Sequence, residues 1–403
     1  MDDIGLYDCP MPESFSDKIG ITVFLAWLFY LGFVGRVLFA PLMPEIEHDL
    51  GISHGEAGTM FFLMSCGYVL APICSGLISS RIDHRGALKV SAWLVGIALI
   101  PFSFVENLLA IGFLLMVVGF AGSIHLPSAI ATITAEIQKS DWGKGLSVHQ
   151  CAPPLSFVCA PLLAAVLLRW FSWRQILLIW GVISIFSAFL YTVFGKGGDF
   201  PGRVVSLNYV KAVCTNRSFW IMLALFSMAM CGNAGIFAML PLYFVEERGF
   251  DLTLANTLIG AAQLPGVVML FFAGWLTDKI GQKKMMASSL LLAALLTLLL
   301  SCTKGWLLLS VLFLQPAVLT AFFPAGFAAL SRIAEPSMRS VVNALGPPLA
   351  FLVGGGMIPA LIGYMAETSS FAGGIFFAGC FILLGPVLVL FIRLGDYDDQ
   401  GGC

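Results

Sequence analysis

DKIGQKK, residues 278–284, sits between two long apolar runs, and DHRGALK, residues 83–89, has the same setting in the first half of the chain. Positions 83 and 278 lie 195 apart. Two further matches keep nearly that spacing: PPLSF at Pro153 returns as PPLAF at Pro347, 194 apart, and Pro127 returns as Pro324, 197 apart. Three matches near one offset predict two homologous halves in tandem.

The material between these loops is apolar. Of 403 residues, 59% are hydrophobic and 11% charged, and the mean hydropathy is +0.94, against roughly 45–50% apolar and about 25% charged in soluble domains. About twelve blocks of roughly 18 to 28 residues are each long enough to cross about 30 Å of hydrocarbon as a helix. The fold expected is an all-α membrane protein with twelve transmembrane helices in two pseudo-symmetric six-helix bundles, since a spanning backbone must satisfy its own hydrogen bonds. Spans are expected near 20–44, 55–79, 90–106, 108–133, 146–168 and 174–194, then 218–245, 255–277, 285–302, 305–331, 341–364 and 371–393. The polar interval between the two sets divides the chain into a bundle at 1–194, a cytoplasmic linker at 195–217 and a bundle at 218–403.

Basic residues set the orientation. With the first residue inside, the loops on that side hold most of the Lys and Arg, including Arg81, Arg85, Lys89, Lys279, Lys283, Lys284 and Arg332, against Arg169, Arg174, Arg248 and Lys304 outside. Both termini are therefore expected in the cytoplasm and the protein in the cell (inner) membrane. The N-terminal MDDIGLYDCPMPESFSDK lacks a basic n-region, so the first block reads as a retained span. A net charge of −2 gives no reason to expect nucleic acid. Ten scattered cysteines, without CxxC or Cys/His spacing, suggest neither metal nor cofactor. No set of paired carboxylates, or of nucleophile and base, argues for an enzyme.

The loop GWLTDKIGQKK, residues 274–284, resembles the G-x-x-x-D-[RK]-x-G-x-[RK]-[RK] signature of the major facilitator superfamily, and SSRIDHRGALK, residues 79–89, is similar to a degenerate copy. The resemblance implies alternating access, with Asp278, Lys279, Gly281 and Lys284 as a gating latch and Asp83, Arg85 and Gly86 as their first-half partners. Gly274 is expected to allow close helix approach and Gly281 a tight turn. The first copy departs from the pattern at Ser79 and His84. The arginine that the family's pattern puts in span four is replaced by His125, and the drug-antiporter glycine-proline signature of span five is replaced by CAPPLSFVCAP, residues 151–161. Proton-driven multidrug export is disfavoured.

One residue stands apart from this arrangement. Arg36, in FYLGFVGRVLFAPLMP (29–44), is the one basic side chain deep within a span, and no Asp or Glu falls in the central third of any span. A guanidinium there costs at least about 2.5–3.5 kcal/mol, so it is expected to face a cavity and find anionic or carbonyl partners. Either the substrate supplies the anion, held in bidentate fashion, or backbone carbonyls or Glu45 and Glu47 satisfy the charge through a bend. The context GRVLFAPLMPEIEHDLGIS also resembles the first span of the organic-anion symporters of the superfamily, with Gly35 where those carry an acidic residue.

The repeat places Asn233 opposite Arg36, 197 positions on. Asn233, His125, Gln263 and Gln315, the other deep polar groups, are with Arg36 the candidates for binding the substrate, a helix contact being the alternative for Asn233 and for His125. His125, titratable, is the candidate proton carrier. His149, Gln150 and Asn343 near span ends suit a gate or packing contact, and GGG at 354–356 suits close packing. The function expected is secondary transport of a small organic anion, with protons one option for the coupling ion, by a monomer among membrane lipids. The alternative is an exporter of amphiphilic, drug-like or lipid-like molecules in the same fold.

Overall fold

The computed structural model describes residues 15–202, 207–335 and 338–394; both chain ends, on which the topology expectation bears, and Arg203 lie outside the described residues. Among the described residues the chain is helical with no strand. Eleven helices are long and apolar enough to cross a membrane. The expected twelfth is present as well, because spans two and three share one run, His54–Leu99, whose backbone breaks at Ile82 and Asp83.

Span one is two helices, Phe15–Val37 and Phe39–Leu50. Span four is Leu108–Glu136, span five Trp142–Gln150 with Ala152–Leu167, and span six Trp173–Phe194. A short helix, Leu207–Thr215, precedes the second bundle. Span seven runs from Arg217–Met230 through a π-helical turn, Cys231–Gly235, into Ile236–Leu242. Span eight is Leu252–Ala262 with Leu264–Ile280, and span nine is Gln282–Cys302. Span ten is Gly305–Thr320 with Phe322–Arg332. Span eleven joins Arg339–Phe351 to Ile358–Thr368 through a π-helical turn, Leu352–Met357. Span twelve is Phe371–Leu383 with Gly385–Phe391.

The helices outrun the apolar blocks because polar caps extend them. Ser53 and Ser172 each close a capping box, with Glu56 and Gln175, at the start of spans two and six. Breaks follow proline, which removes a backbone donor. In span one Pro41 leaves the Val37 carbonyl without its usual partner, and the helix divides at Leu38.

Within the first bundle, spans two and four touch backbone to backbone. A Cβ on Gly119 would lie 1.9 Å from the Met64 carbonyl oxygen, and one on Gly67 1.9 Å from that of Met116. Small residues admit this approach, and dispersion between close backbones replaces the hydrophobic drive that lipid cannot supply. Gly274 is different: a Cβ there meets nothing within 4 Å, so the close approach expected for it is not made. Gly119→Ala should therefore destabilise the protein by about 1–3 kcal/mol, read as a lower thermal midpoint in detergent, while Gly274→Ala leaves the midpoint where it is.

Candidate functional site

Arg36 is the penultimate residue of the first helix of span one, two residues before the proline-driven break at Leu38. Its side chain is buried, with 7% of the residue exposed. The guanidinium carbon lies 4.3 Å from the Phe33 ring centroid, 4.6 Å from Tyr68 and 5.3 Å from Phe351. Three aromatic faces, from spans one, two and eleven, thus hold the cation through their ring quadrupoles. No ion pair reaches it among the described residues. The pairing with Glu45 or Glu47 is not made: Glu47 Oε2 sits 2.9 Å from His54 Nδ1 instead. Gly35 explains the missing neighbouring acid, since a Cβ there would lie 3.0 Å from Leu99 and 3.5 Å from the Trp180 indole.

Arg36 opens onto a cavity of about 40 Å³ between the bundles. Phe61, Phe157, Phe237 and Phe351 supply much of its wall, with Ala234 and Gly355 from two of the three π-helical turns among the described residues, the third being Tyr243–Glu247. π-helical turns are rare and concentrate at functional sites. Sequence reasoning missed Tyr68, Phe157, Phe237 and Phe351; Phe33, one helical turn before Arg36, was the one cage residue whose spacing on its own helix pointed there.

Asn233, Gln263 and Gln315 come together beside this cavity. They line a smaller one of about 10 Å³, whose wall Phe237 shares with the Arg36 cavity. Gln315 Nε2 donates to the Gly232 carbonyl at 2.9 Å, answering a bond displaced by the π turn. The side chains of Asn233 and Gln263 have no hydrogen-bond partner among the described residues, so their amides remain available toward the cavity.

His125 is placed elsewhere, inside the first bundle. Its Nε2 lies 3.2 Å from Nε2 of His149, a residue for which the sequence suggested a gate or a packing contact. Both rings lie nearly parallel to Phe29, at 5.2 and 4.7 Å. Phe29 meets Phe33 edge-on at 5.9 Å, so an aromatic column joins the histidine pair to the Arg36 cage. Gln150 is exposed at the helix end. Asn343 donates to Ser331 Oγ at 3.2 Å and is a contact between spans ten and eleven.

The two loop copies are built differently. In the first, Asp83 takes φ 61° and its Oδ1 accepts from Gly86 N at 2.6 Å. Arg85 pairs with Asp199 at 3.1 Å, and its backbone N–H donates to Gly198 at 3.0 Å. The start of the interval between the bundles is thereby pinned to this loop. In the second copy Gly281 has φ 90°, which only glycine adopts easily, and Lys279 lies 5.2 Å from the Trp275 ring centroid. Asp278, Gly281 and Lys284 line an open cleft of about 460 Å³, and Asp278 has no ion-pair partner among the described residues.

At the opposite end of the molecule the bundles are tied to each other. Asn256 Nδ2 donates to the Pro41 carbonyl at 3.0 Å, and Gly55 N donates to Glu367 Oε1 at 2.7 Å. Gly55 belongs to the first turn of span two, whose N–H groups have no partner in their own helix. A carboxylate from span eleven therefore caps a helix of the other bundle, where negative charge is also favoured by the helix dipole.

Comparison with known proteins agrees with this architecture. The chain is 23% identical over 415 residues to the probable sulfoacetate transporter SauU of Cupriavidus necator, covering 93% of this chain and 94% of the relative. It is 24% identical over 325 residues to the membrane sensor protein UhpC of Escherichia coli, covering 75% and 73%. Among solved structures, a bacterial homologue of the human lysosomal transporter Spinster, in an inward-facing and occupied conformation, superposes with a TM-score of 0.81 at 12% identity, covering 94% of this chain and 97% of that one. The family model described as Major Facilitator Superfamily matches residues 22–271 and 249–402. Twelve spans in two bundles and a match across nearly the whole length agree: the chain belongs to the Major Facilitator Superfamily of membrane transporters.

Proposed function

We propose that this transporter moves a small organic anion across the cell (inner) membrane by alternating access, with Arg36 holding the anionic group. The observation that carries the reading is a buried guanidinium at the wall of the interbundle cavity with no carboxylate of its own. A guanidinium presents paired N–H donors that match a carboxylate, sulfonate or phosphate. Asn233 and Gln263, with unengaged amides next door, would receive hydroxyl or further oxygen groups. The named relatives support an anionic substrate: besides the sulfoacetate transporter, the probable galactarate/D-glucarate transporter GudP of Bacillus subtilis is 21% identical over 455 residues, covering 95% of this chain and 96% of that one.

The basic-residue bias supports placing the loops at 83–89 and 278–284, and both chain ends, in the cytoplasm. On that reading the Asn256 and Glu367 ties close the outer side, and the two cytoplasmic loops do the latching expected of the signature. A second reading, export of amphiphilic molecules, is favoured by the aromatic wall of the cavity. The multidrug resistance protein MdtG of Salmonella arizonae, 24% identical over 365 residues, points the same way.

Thermal-shift measurements on purified protein separate the readings. Sulfoacetate, D-glucarate or a hexose phosphate should stabilise the wild type by about 2.7 kcal/mol at about 100 times Kd. Arg36→Ala should abolish the shift while keeping or raising the unliganded midpoint, because it removes a buried unpaired charge. A shift by amphiphiles alone, or an anion shift that survives in Arg36→Ala, would favour the second reading. The outer tie has its own test: Glu367→Gln weakens a charged capping bond between the bundles and shifts the balance from closed toward open forms. Spin labels at His48 and Ser369 should then show a larger population at long distances, and an unchanged distance distribution would remove Glu367 from the gate.

A further inference from the structure

We propose that His125 and His149 together form one proton-binding site, coupled electrostatically to the anion at Arg36 and making the transporter a proton–anion symporter; the coupling rests on the anion reading above. The geometry is specific. The two imidazoles are coplanar within 1° and their Nε2 atoms are 3.2 Å apart. His149 is fully buried, His125 is 3% exposed, and His149 Nδ1 has no hydrogen-bond partner among the described residues.

Counting protons gives the capacity of the pair. Two neutral imidazoles carry two N–H groups on four nitrogens. One N–H must lie between the Nε2 atoms, as donor from one ring to the lone pair of the other. The second sits on an Nδ1, and the remaining Nδ1 keeps a free lone pair. That lone pair accepts one proton from water and yields an imidazole–imidazolium pair with the shared bond intact. A second added proton would put N–H groups on both facing nitrogens and break it. The site therefore takes one proton.

The surroundings suit a transient cation. Phe29 lays its face over both rings, the position in which an aromatic quadrupole stabilises a charge. A cavity of about 10 Å³, lined by His125, Gly32, Ser91, Gly122 and Ser184, adjoins the pair and is about the size that one water needs. Ser91 and Ser184 are engaged with the carbonyls of Ala121 and Trp180, at 2.7 and 2.8 Å. No carboxylate lines this cavity.

The charged groups on the elements packed around the pair lie toward the helix ends, apart from Arg36; the titratable Tyr30 of span one, next to Phe29, and Cys159 of span five lie within their spans. Lys18 of span one pairs with Glu136 of span four at 3.4 Å, and Lys144 of span five with Asp141 at 2.7 Å. At the start of span three are Asp83, His84, which contacts Ser128, Arg85, paired with Asp199, and Lys89. At the start of span six, Arg174 pairs with Asp49 at 3.0 Å. Arg36 lies seven residues from Phe29 on the same helix, two turns or about 10 Å along.

This placement fixes the sign of the coupling. With the anion site empty, the Arg36 charge opposes protonation of the pair; a bound anion cancels that charge and favours it. Unit charges about 10 Å apart at an effective dielectric near 20 change an equilibrium by about tenfold. Linkage is reciprocal, so protonating the pair tightens anion binding by the same factor.

The test measures anion binding and proton uptake together on the full-length protein, with sulfoacetate, D-glucarate and a hexose phosphate as probes and a pH dye in weakly buffered detergent. The expected result is affinity that tightens by up to about tenfold as the pH falls from 8 to 4.5, with a maximum uptake of about half a proton per anion, the ceiling that a tenfold coupling sets. His125→Gln and His149→Gln should each remove the uptake and flatten the pH dependence while retaining an Arg36-dependent thermal shift. The wild-type proton count needs no variant, so misfolding of either variant leaves the outcome decisive. Binding without proton uptake in the wild type, or uptake retained in both variants, overturns the site and leaves the anion reading standing. If no anion binds, both fall together.

Discussion

A chain in hydrocarbon has no water with which to complete its backbone hydrogen bonds, so every interruption of a spanning helix must be answered by another part of the protein. The central region is organised by that constraint. On either side of the break in span one, side chains from other spans add bonds to its backbone, the Trp180 indole donating to the Leu31 carbonyl at 2.9 Å and Asn256 to the Pro41 carbonyl at 3.0 Å. Where span seven widens into a π turn, Gln315 takes the Gly232 carbonyl. Two of these irregular segments, in spans one and seven, and the π turn of span eleven meet at the Arg36 cavity. Irregular backbone, patched by side chains from elsewhere, makes room for a polar site in an apolar bundle.

The topology was legible because it rests on quantities that add along the chain. Twelve apolar blocks and a repeat near 195 residues carry over to the helices observed, with the break at Ile82 and Asp83 falling at the first repeated loop. Arg36 was legible too, since one charge in an apolar block has few explanations. Its cage was not. The chain has 34 phenylalanines, and lipid is as apolar as a protein core, so hydrophobic pattern does not separate a ring facing lipid from one facing the other bundle. Phe351 reaches Arg36 only through the packing of spans eleven and two. The partner of His149 was hidden for a similar reason: its helix begins at Trp142, and the ring of His125 is brought to it by the crossing of spans four and five.

The internal repeat has kept its backbone plan while dividing its chemistry. Arg36 in the first half corresponds to Asn233 in the second, a cation opposite an amide, and the two line adjoining cavities. The loops diverge in the same way. Asp83 is occupied in capping Gly86, and Arg85 holds the chain that leaves the first bundle, whereas Asp278 has no ion-pair partner among the described residues. Two copies of one fold need not share the work of charge recognition and loop bracing equally.

Gly35 bears on the history open to this chain. Its α-carbon faces Leu99 and Trp180 so closely that even a methyl group would press on the leucine, and the same indole braces the Leu31 carbonyl. A lineage that acquired a carboxylate beside Arg36 would have to shift the Leu99 side chain and seat the new group against the indole that holds this carbonyl. Packing on this face thus favours a residue without a side chain next to the cation.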